Sequence, residues 1–433
     1  MTRCIEHADV VVIGAGPAGI AAATRAAESS RRIIVLDESP GVGGQIWRHR
    51  DIAMLDARAR TWIERLRRSG AVIHTRTSVV DVHRASDAFV VTAEREGAPY
   101  VVHARTLVLA TGARERFLPF PGWTLPGVVG IGGAQALLKS GMPVRDSRVV
   151  IAGSGPLLLP VAASLSAHGA RVALVAEQAP AASVARFTVG LWRHPSMLLQ
   201  AARYRAAFVR TPYRLGMWVT AARGTGRVEE VDVSDGATTR TIPCDLLCAA
   251  FGLVPSTELA RLVGCRVSEG AVAVSDAQET SVADVYCAGE STGVGGVDVA
   301  LAEGEIAGLS AAARPDCAKA LVPQRMHLRA MTKRMDAAFA LRDELRSLAT
   351  RDTIVCRCED VTLGAIDSRW TSRQAKLYTR AGMGPCQGRV CGTALEFLHG
   401  WPADVVRLPA EPALVSTLVA DVPDRPEHRE QGA

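Results

Sequence analysis

Residues 10–23, VVVIGAGPAGIAAA, constrain this chain more than any other stretch. A β-branched run stops at Gly14, and a helix of small residues opens a few positions later, with Gly16 and Gly19 between. Each glycine has a separate physical task. Gly14 permits the tight turn, Gly16 lets a pyrophosphate reach the backbone, and Gly19 lets helix and strand pack closely. Pro17 and Ala18 complete the cradle, and the helix N-terminus turns its amides and positive dipole end toward phosphate. Asp37 lies 23 residues beyond Gly14 and Glu38 lies 24, the distance at which a carboxylate meets the adenosine ribose.

A glycine turn of this kind often binds nothing, so its neighbours matter. Three stretches agree with a flavin dinucleotide. GVGGQIWR (Gly41 to Arg48) offers Gly44 and Gln45 after the second strand, suited to close approach of an isoalloxazine and its ribityl chain. LVLATGAR ends a strand at Thr111 and Gly112, and VYCAGE ends another at Gly289 and Glu290. Together they predict bound FAD.

The same design recurs at Arg148 to His168, where VVIAGSGPLLLPVAASL carries Gly153 and Gly155. Leu158 stands at the third glycine position and Pro160 follows, which obstructs close helix–strand approach. Glu177, 24 residues beyond Gly153, would favour NAD over NADP if a dinucleotide binds. The competing expectation is an inherited fold that holds no hydride donor, or only an adenine nucleotide.

A net charge of +6 does not make this a nucleic-acid binder. The basic residues are nearly all arginine, dispersed along the chain, and no basic run interleaves with aromatic residues. No stretch approaches the roughly 20 apolar residues of a membrane span. No leader pattern precedes the first strand, so a cytoplasmic protein is expected, with peripheral attachment to the inner membrane as a variant. In that compartment cysteines are thiols or ligands.

Four of the ten cysteines cluster: Cys356 and Cys358 in TIVCRCEDVT, and Cys386 and Cys391 in AGMGPCQGRVCG. Four thiolates hold either a [2Fe-2S] cluster or zinc. Structural zinc favours C-x2-C knuckles, whereas the spacing here is C-x-C and C-x4-C. Gly382, Gly384, Gly388 and Gly392 leave backbone amides for cluster sulfurs. A remnant without a cluster is the third reading. No CxxC lies near the flavin, so dithiol chemistry at the isoalloxazine is not expected.

The glycine motifs, with Thr111, Gly112 and the Ala-Gly-acid element, resemble the flavoprotein disulfide reductase superfamily, although Glu290 stands where that superfamily usually has Asp. The resemblance implies an α/β fold of two Rossmann-like dinucleotide-binding domains, one inserted in the other, plus a small C-terminal Fe-S domain. The expected division is an FAD domain over 1–118 and 244–320, a second, NAD-type domain over 119–243, a helical linker over 321–348, the Fe-S domain over 349–412 and a tail over 413–433, unstructured beyond about Pro423. The cysteine segments resemble the bacterioferritin-associated ferredoxin type, implying a [2Fe-2S] centre on Cys356, Cys358, Cys386 and Cys391. The whole, with GGQIWR, residues 120–141 and CAGESTGVGG, is similar to the alpha subunits of heteromeric bacterial amino-acid dehydrogenases, such as D-hydroxyproline dehydrogenase, opine oxidase and hydrogen cyanide synthase. That similarity implies a substrate site on a separate beta subunit of the amino-acid-oxidase type, a further partner in a small ferredoxin-like gamma subunit, and no catalytic substrate residue here. The alternative is a self-sufficient NADH-dependent reductase of a downstream acceptor. Residues 181–220, rich in arginine and tryptophan, read either as a helical cover on the sheet or as a docking surface.

Overall fold

The computed structural model describes residues 4–47, 55–402 and 405–419; Arg48 and the tail beyond residue 419 lie outside the described residues. The chain forms two compact units, one of Met1–Arg114, Pro255–Ala330 and Val405–Ala433, the other of Glu115–Val254 and Met331–Asp404.

In the first unit the apolar run Cys4–Ile13 becomes a central strand. Ile33–Leu36 and then Val72–His74 lie parallel on one side of it, with Ala98–Leu109 parallel on the other. Ala88–Arg95 and Thr77–Ala85 continue the sheet antiparallel, and Val285–Cys287 adds a parallel strand to Ala98–Leu109. Strands buried on both faces read as continuous apolar runs, which is why VVVI and IIVL carry no alternation.

The helix Pro17–Ala26 packs on one face against the helix Gly296–Ala311. Contact is close because Gly304 and Gly308 meet Ala18 and Ala22: a Cβ at Gly304 would lie 2.2 Å from the Ala18 carbonyl oxygen, and one at Gly308 2.2 Å from that of Ala22. Gly308→Leu should therefore cost about 3 kcal/mol or more of the first unit's stability through overpacking against backbone, read as a lowered urea midpoint. A change of less than about 0.5 kcal/mol would mean the helices are not in this register.

In the second unit five parallel strands run in the order Tyr213–Leu215, Arg171–Glu177, Arg148–Gly153, Leu246–Ala250 and Val128–Gly130. This corrects the expected boundary at residue 244. Leu246–Ala250 belongs to the second sheet, and the chain returns to the first unit at Pro255. The apolar run CDLLCAAFG is as suited to one parallel sheet as to the other, so its pattern could not decide between them.

The cysteine region has a small core of its own around Val355, Val361, Ile366, Leu395 and Trp401. It is joined to the second unit: Leu345 and Leu348 sit in that unit's core, and Trp123 donates its indole N–H to the Ile354 carbonyl at 2.6 Å. The segment after residue 404 joins the first unit, where the Ala410 amide donates to Val80 at 2.8 Å and the Leu414 amide to Glu94 at 2.8 Å.

Candidate cofactor sites

The first glycine turn meets its steric requirements. Gly14 has φ +102°, and a Cβ there would stand 2.2 Å from the Ala110 carbonyl oxygen. A Cβ on Gly19 would lie 1.8 Å from the Gly14 carbonyl oxygen, the helix–strand contact anticipated for the third glycine. Gly16 differs: it has ordinary φ of −74°, and the nearest atom to a Cβ would be Gly44 Cα at 3.8 Å. The space beside Gly16 is therefore open, as approach of a pyrophosphate to the backbone would need. The helix that starts at Pro17 has no side-chain cap at Gly16, leaving its N-terminal amides uncapped by protein side chains.

Of the two candidate acids, Asp37 is brought to the turn. Its carboxylate accepts from the Ala15 amide at 2.6 Å and the Ser39 amide at 2.7 Å, while Glu38 is exposed. The loop with Gly44 and Gln45 lies against the cradle, the Gly43 amide donating to the Ala15 carbonyl at 2.8 Å, and a Cβ on Gly44 would come within 2.8 Å of Gly16 Cα.

Thr111 Oγ1 donates to the Ser256 carbonyl at 2.7 Å and lies 3.0 Å from Ser291 Oγ, and the Gly112 carbonyl accepts from the Ser256 amide at 2.9 Å. This ties the end of one strand to the Gly289–Thr292 turn.

That turn presents Glu290. Its Oε1 accepts from the Gly296 amide at 2.8 Å, but Oε2 is buried and has no donor. Burial pushes this carboxyl upward, against the amides of Gly296 and Gly295 and the charge of Arg329. An orphaned carboxylate oxygen is costly, and a hydroxyl from a ligand would satisfy it. The residues therefore fit the polyhydroxyl chain of a flavin.

Glu303 and Arg329, which sequence reading missed, fix the turn. Glu303 is buried inside its helix and accepts from the Gly289 amide at 3.0 Å, the Thr292 hydroxyl at 2.6 Å and Arg329 Nε at 2.7 Å. Arg329 also donates to the Gly293 carbonyl at 2.7 Å. The available signal was a pair of glutamates, Glu303 and Glu305, in a largely apolar helical stretch, VALAEGEIAG.

The second turn is built differently. A Cβ on Gly153 would meet the Ala250 carbonyl oxygen at 2.0 Å, so the strand-end turn is kept. Its helix, however, begins at Leu158, three residues beyond Gly155, and the Leu158 and Leu159 amides are bonded to the carbonyls of Gly155 and Pro156. Glu177 is fully buried and accepts from the Gly155 amide at 2.8 Å and the Ala179 amide at 2.8 Å.

The strap Phe339–Arg342, also unforeseen, covers the same strand ends. Ser154 Oγ donates to the Phe339 carbonyl at 2.7 Å, Gln178 Nε2 donates to Ser154 Oγ at 2.8 Å and the Ala340 carbonyl at 3.0 Å, and the Arg342 amide donates to Gln178 Oε1 at 3.2 Å. Glu177 takes a turn amide and the amide two residues on, as Asp37 does in the first cradle; what differs here is that Ser154 and Gln178 are bonded to the strap.

Burial raises the Glu177 carboxyl to about 7, against the pull of the Ala179 and Gly155 amides. A folded-state pKa above the unfolded one means the folded chain holds more protons between the two values, so stability should fall as pH rises from about 4.5 to about 7. Glu177→Gln should flatten that part of a urea-midpoint profile, and an unchanged slope would place the titration elsewhere.

The four cysteines line one cavity of about 780 Å³, together with Glu115, Phe117, Trp123 and Val390. Cys358 and Cys386 are within hydrogen-bonding reach of each other, and so are Cys356 and Cys391. Burial pushes the Cys386 thiol up, but amides of Val390, Gly388 and Arg389 and the Cys358 thiol bring it below the ordinary value. Burial raises Cys391 well above it. Glycine is required beside the thiols: a Cβ on Gly384 would be 2.3 Å from Cys358 Cβ.

Among the described residues, no three His, Cys, Asp or Glu side chains converge as they would on one metal ion. The thiols instead form two pairs, Cys358 with Cys386 and Cys356 with Cys391, the donor set that a centre taking two thiolates per iron would need. No helix of the described residues is long and apolar enough to cross a membrane.

Comparison with known proteins bears on both regions. Residues 8–304 match the family model described as pyridine nucleotide-disulphide oxidoreductase. The chain is 34% identical to an opine oxidase subunit of Rhizobium meliloti, over 92% of this chain and 93% of that one. It is 33% identical to a hydrogen cyanide synthase subunit of Pseudomonas aeruginosa, over 88% and 90% respectively. Among solved structures, L-proline dehydrogenase from P. horikoshii aligns with a TM-score of 0.67 at 19% identity, covering 96% of this chain and 80% of that one.

Proposed function

Since the chain belongs to the pyridine nucleotide-disulphide oxidoreductase family, we propose that it is the electron-transfer subunit of a heteromeric, FAD-dependent amine or amino-acid dehydrogenase. In this reading the substrate, a D-hydroxyproline, proline-like or opine compound, is oxidised at its C–N bond in a separate subunit of the amino-acid-oxidase type. Relatives matched over most of their length support it, being named as subunits of an opine oxidase and a hydrogen cyanide synthase.

The observation that carries the proposal is the coexistence in one chain of an orphaned carboxylate beside a phosphate cradle and four thiols around one cavity. FAD supplies a carrier that exchanges electrons singly or in pairs, and a [2Fe-2S] cluster one that exchanges them singly. The protein's own residues do the holding. Gly16 leaves room for the pyrophosphate, Asp37 braces the turn, Glu290 meets the ribityl hydroxyls, and Cys356, Cys358, Cys386 and Cys391 bind the irons.

The self-sufficient NADH reductase is the weaker reading because Ser154 and Gln178 are bonded to the strap Phe339–Arg342 and the helix after the second turn starts only at Leu158. Anaerobic stopped-flow mixing of the purified chain with millimolar NADH should leave the flavin absorbance near 450 nm unchanged over minutes, while dithionite bleaches it. Bleaching by NADH within the first second would favour the reductase.

A further inference from the structure

We propose that the helical projection 181–215 is the surface on which the substrate-oxidising subunit docks, an inference that rests on the relay reading above. Its two helices, Ala181–Gly190 and Pro195–Ala207, contain no buried residue. Helices of 10 and 13 residues are marginal without a packed face, so this pair is supported on one side and left incomplete on the other. The outer surface is apolar: Val189 is 72% exposed, Trp192 71%, Val209 67% and Leu199 54%. Isolated exposed apolar residues are ordinary, but these four large ones, exposed within residues 189–209, are a concentration that favours an interaction site.

Charge narrows the occupant to one with a complementary acidic rim. No aspartate, glutamate or lysine occurs between Glu177 and Glu229, while Arg186, Arg203, Arg210 and Arg214 are exposed on the projection. Arginine, tryptophan and methionine without lysine or acid is the composition of a protein interface.

A second copy of this chain would oppose arginine to arginine, which disfavours self-association here. An interfacial lipid helix needs its apolar residues segregated from its polar ones. On Pro195–Ala207 the consecutive Met197, Leu198 and Leu199 turn about 100° per residue, so the apolar set wraps around the helix and no such segregation exists. The partner that fits is a polypeptide with an apolar centre and an acidic rim.

The test uses the chain co-purified with the amino-acid-oxidase-type subunit from the same genome. Amides of 185–210 should exchange with deuterium at least about tenfold more slowly in the complex than in the chain alone. Arg203→Glu with Arg210→Glu should weaken association by at least about tenfold and lower its salt dependence, with flavin and iron per chain unchanged.

A complex that forms without slowing exchange over these residues, or that ignores the charge reversals, overturns this placement and leaves the relay reading standing. Flotation of the chain with phosphatidylglycerol vesicles, or a dimer broken by Val189→Asp, likewise overturns it in favour of lipid or self-association. Failure of any oxidase-type subunit to associate contradicts the relay reading and this surface with it.

Discussion

Gly16→Val protein should purify folded but without flavin. The position has ordinary backbone geometry, and beyond its chain neighbours the nearest atom to an added Cβ is Gly44 Cα at 3.8 Å, so the fold should tolerate a side chain there. The bulk instead enters the space through which a pyrophosphate would approach the helix N-terminus. Flavin affinity should fall at least about a hundredfold, equivalent to about 2.7 kcal/mol, by titration of apoprotein with FAD. The far-ultraviolet spectrum should be unchanged. Gly19→Val supplies the contrast, because a Cβ there strikes the Gly14 carbonyl oxygen at 1.8 Å and should unfold the first unit outright. If Gly16→Val retained FAD with native affinity, the cradle would not be the flavin's phosphate site.

Cys386→Ser should remove the metal centre altogether while the flavin stays bound. In the proposed centre four thiolates would share two irons, and replacing one would leave a weaker oxygen donor beside Cys358. Anaerobically prepared variant should carry less than about a tenth of the wild-type iron, by colorimetric assay after acid release. Gly384→Val should act similarly through sterics alone, since its Cβ would sit 2.3 Å from that of Cys358. Full iron in both variants would show that the cluster, if there is one, is held elsewhere.

Much of this was legible in residue pattern. The first cradle is recoverable because each of its glycines answers a separate steric demand in contiguous sequence, and Asp37 lies at the end of the next strand. The cysteine quartet announced itself by spacing and by the glycines around it. The assignment of CDLLCAAFG to a sheet was not recoverable, since strand partners are set by long-range pairing that a buried apolar run does not encode. The closure of the second turn was legible only by half. Leu158 signalled a reshaped pocket, but the strap at Phe339–Arg342 lies more than 150 residues away and engages mostly through backbone atoms, which have no sequence pattern. Arg329 and Glu303 were hidden for a related reason: an ion pair between distant helix positions is invisible until the fold joins them.

The proposal that one chain holds a flavin and a two-iron cluster together can be tested directly. The measurement is flavin, iron, zinc and acid-labile sulfide per chain on anaerobically purified protein, with electron paramagnetic resonance after dithionite reduction. The expected result is one FAD, two irons, two sulfides and a signal integrating to one spin per chain. Zinc in place of iron, or flavin with no metal and no spin, would contradict it.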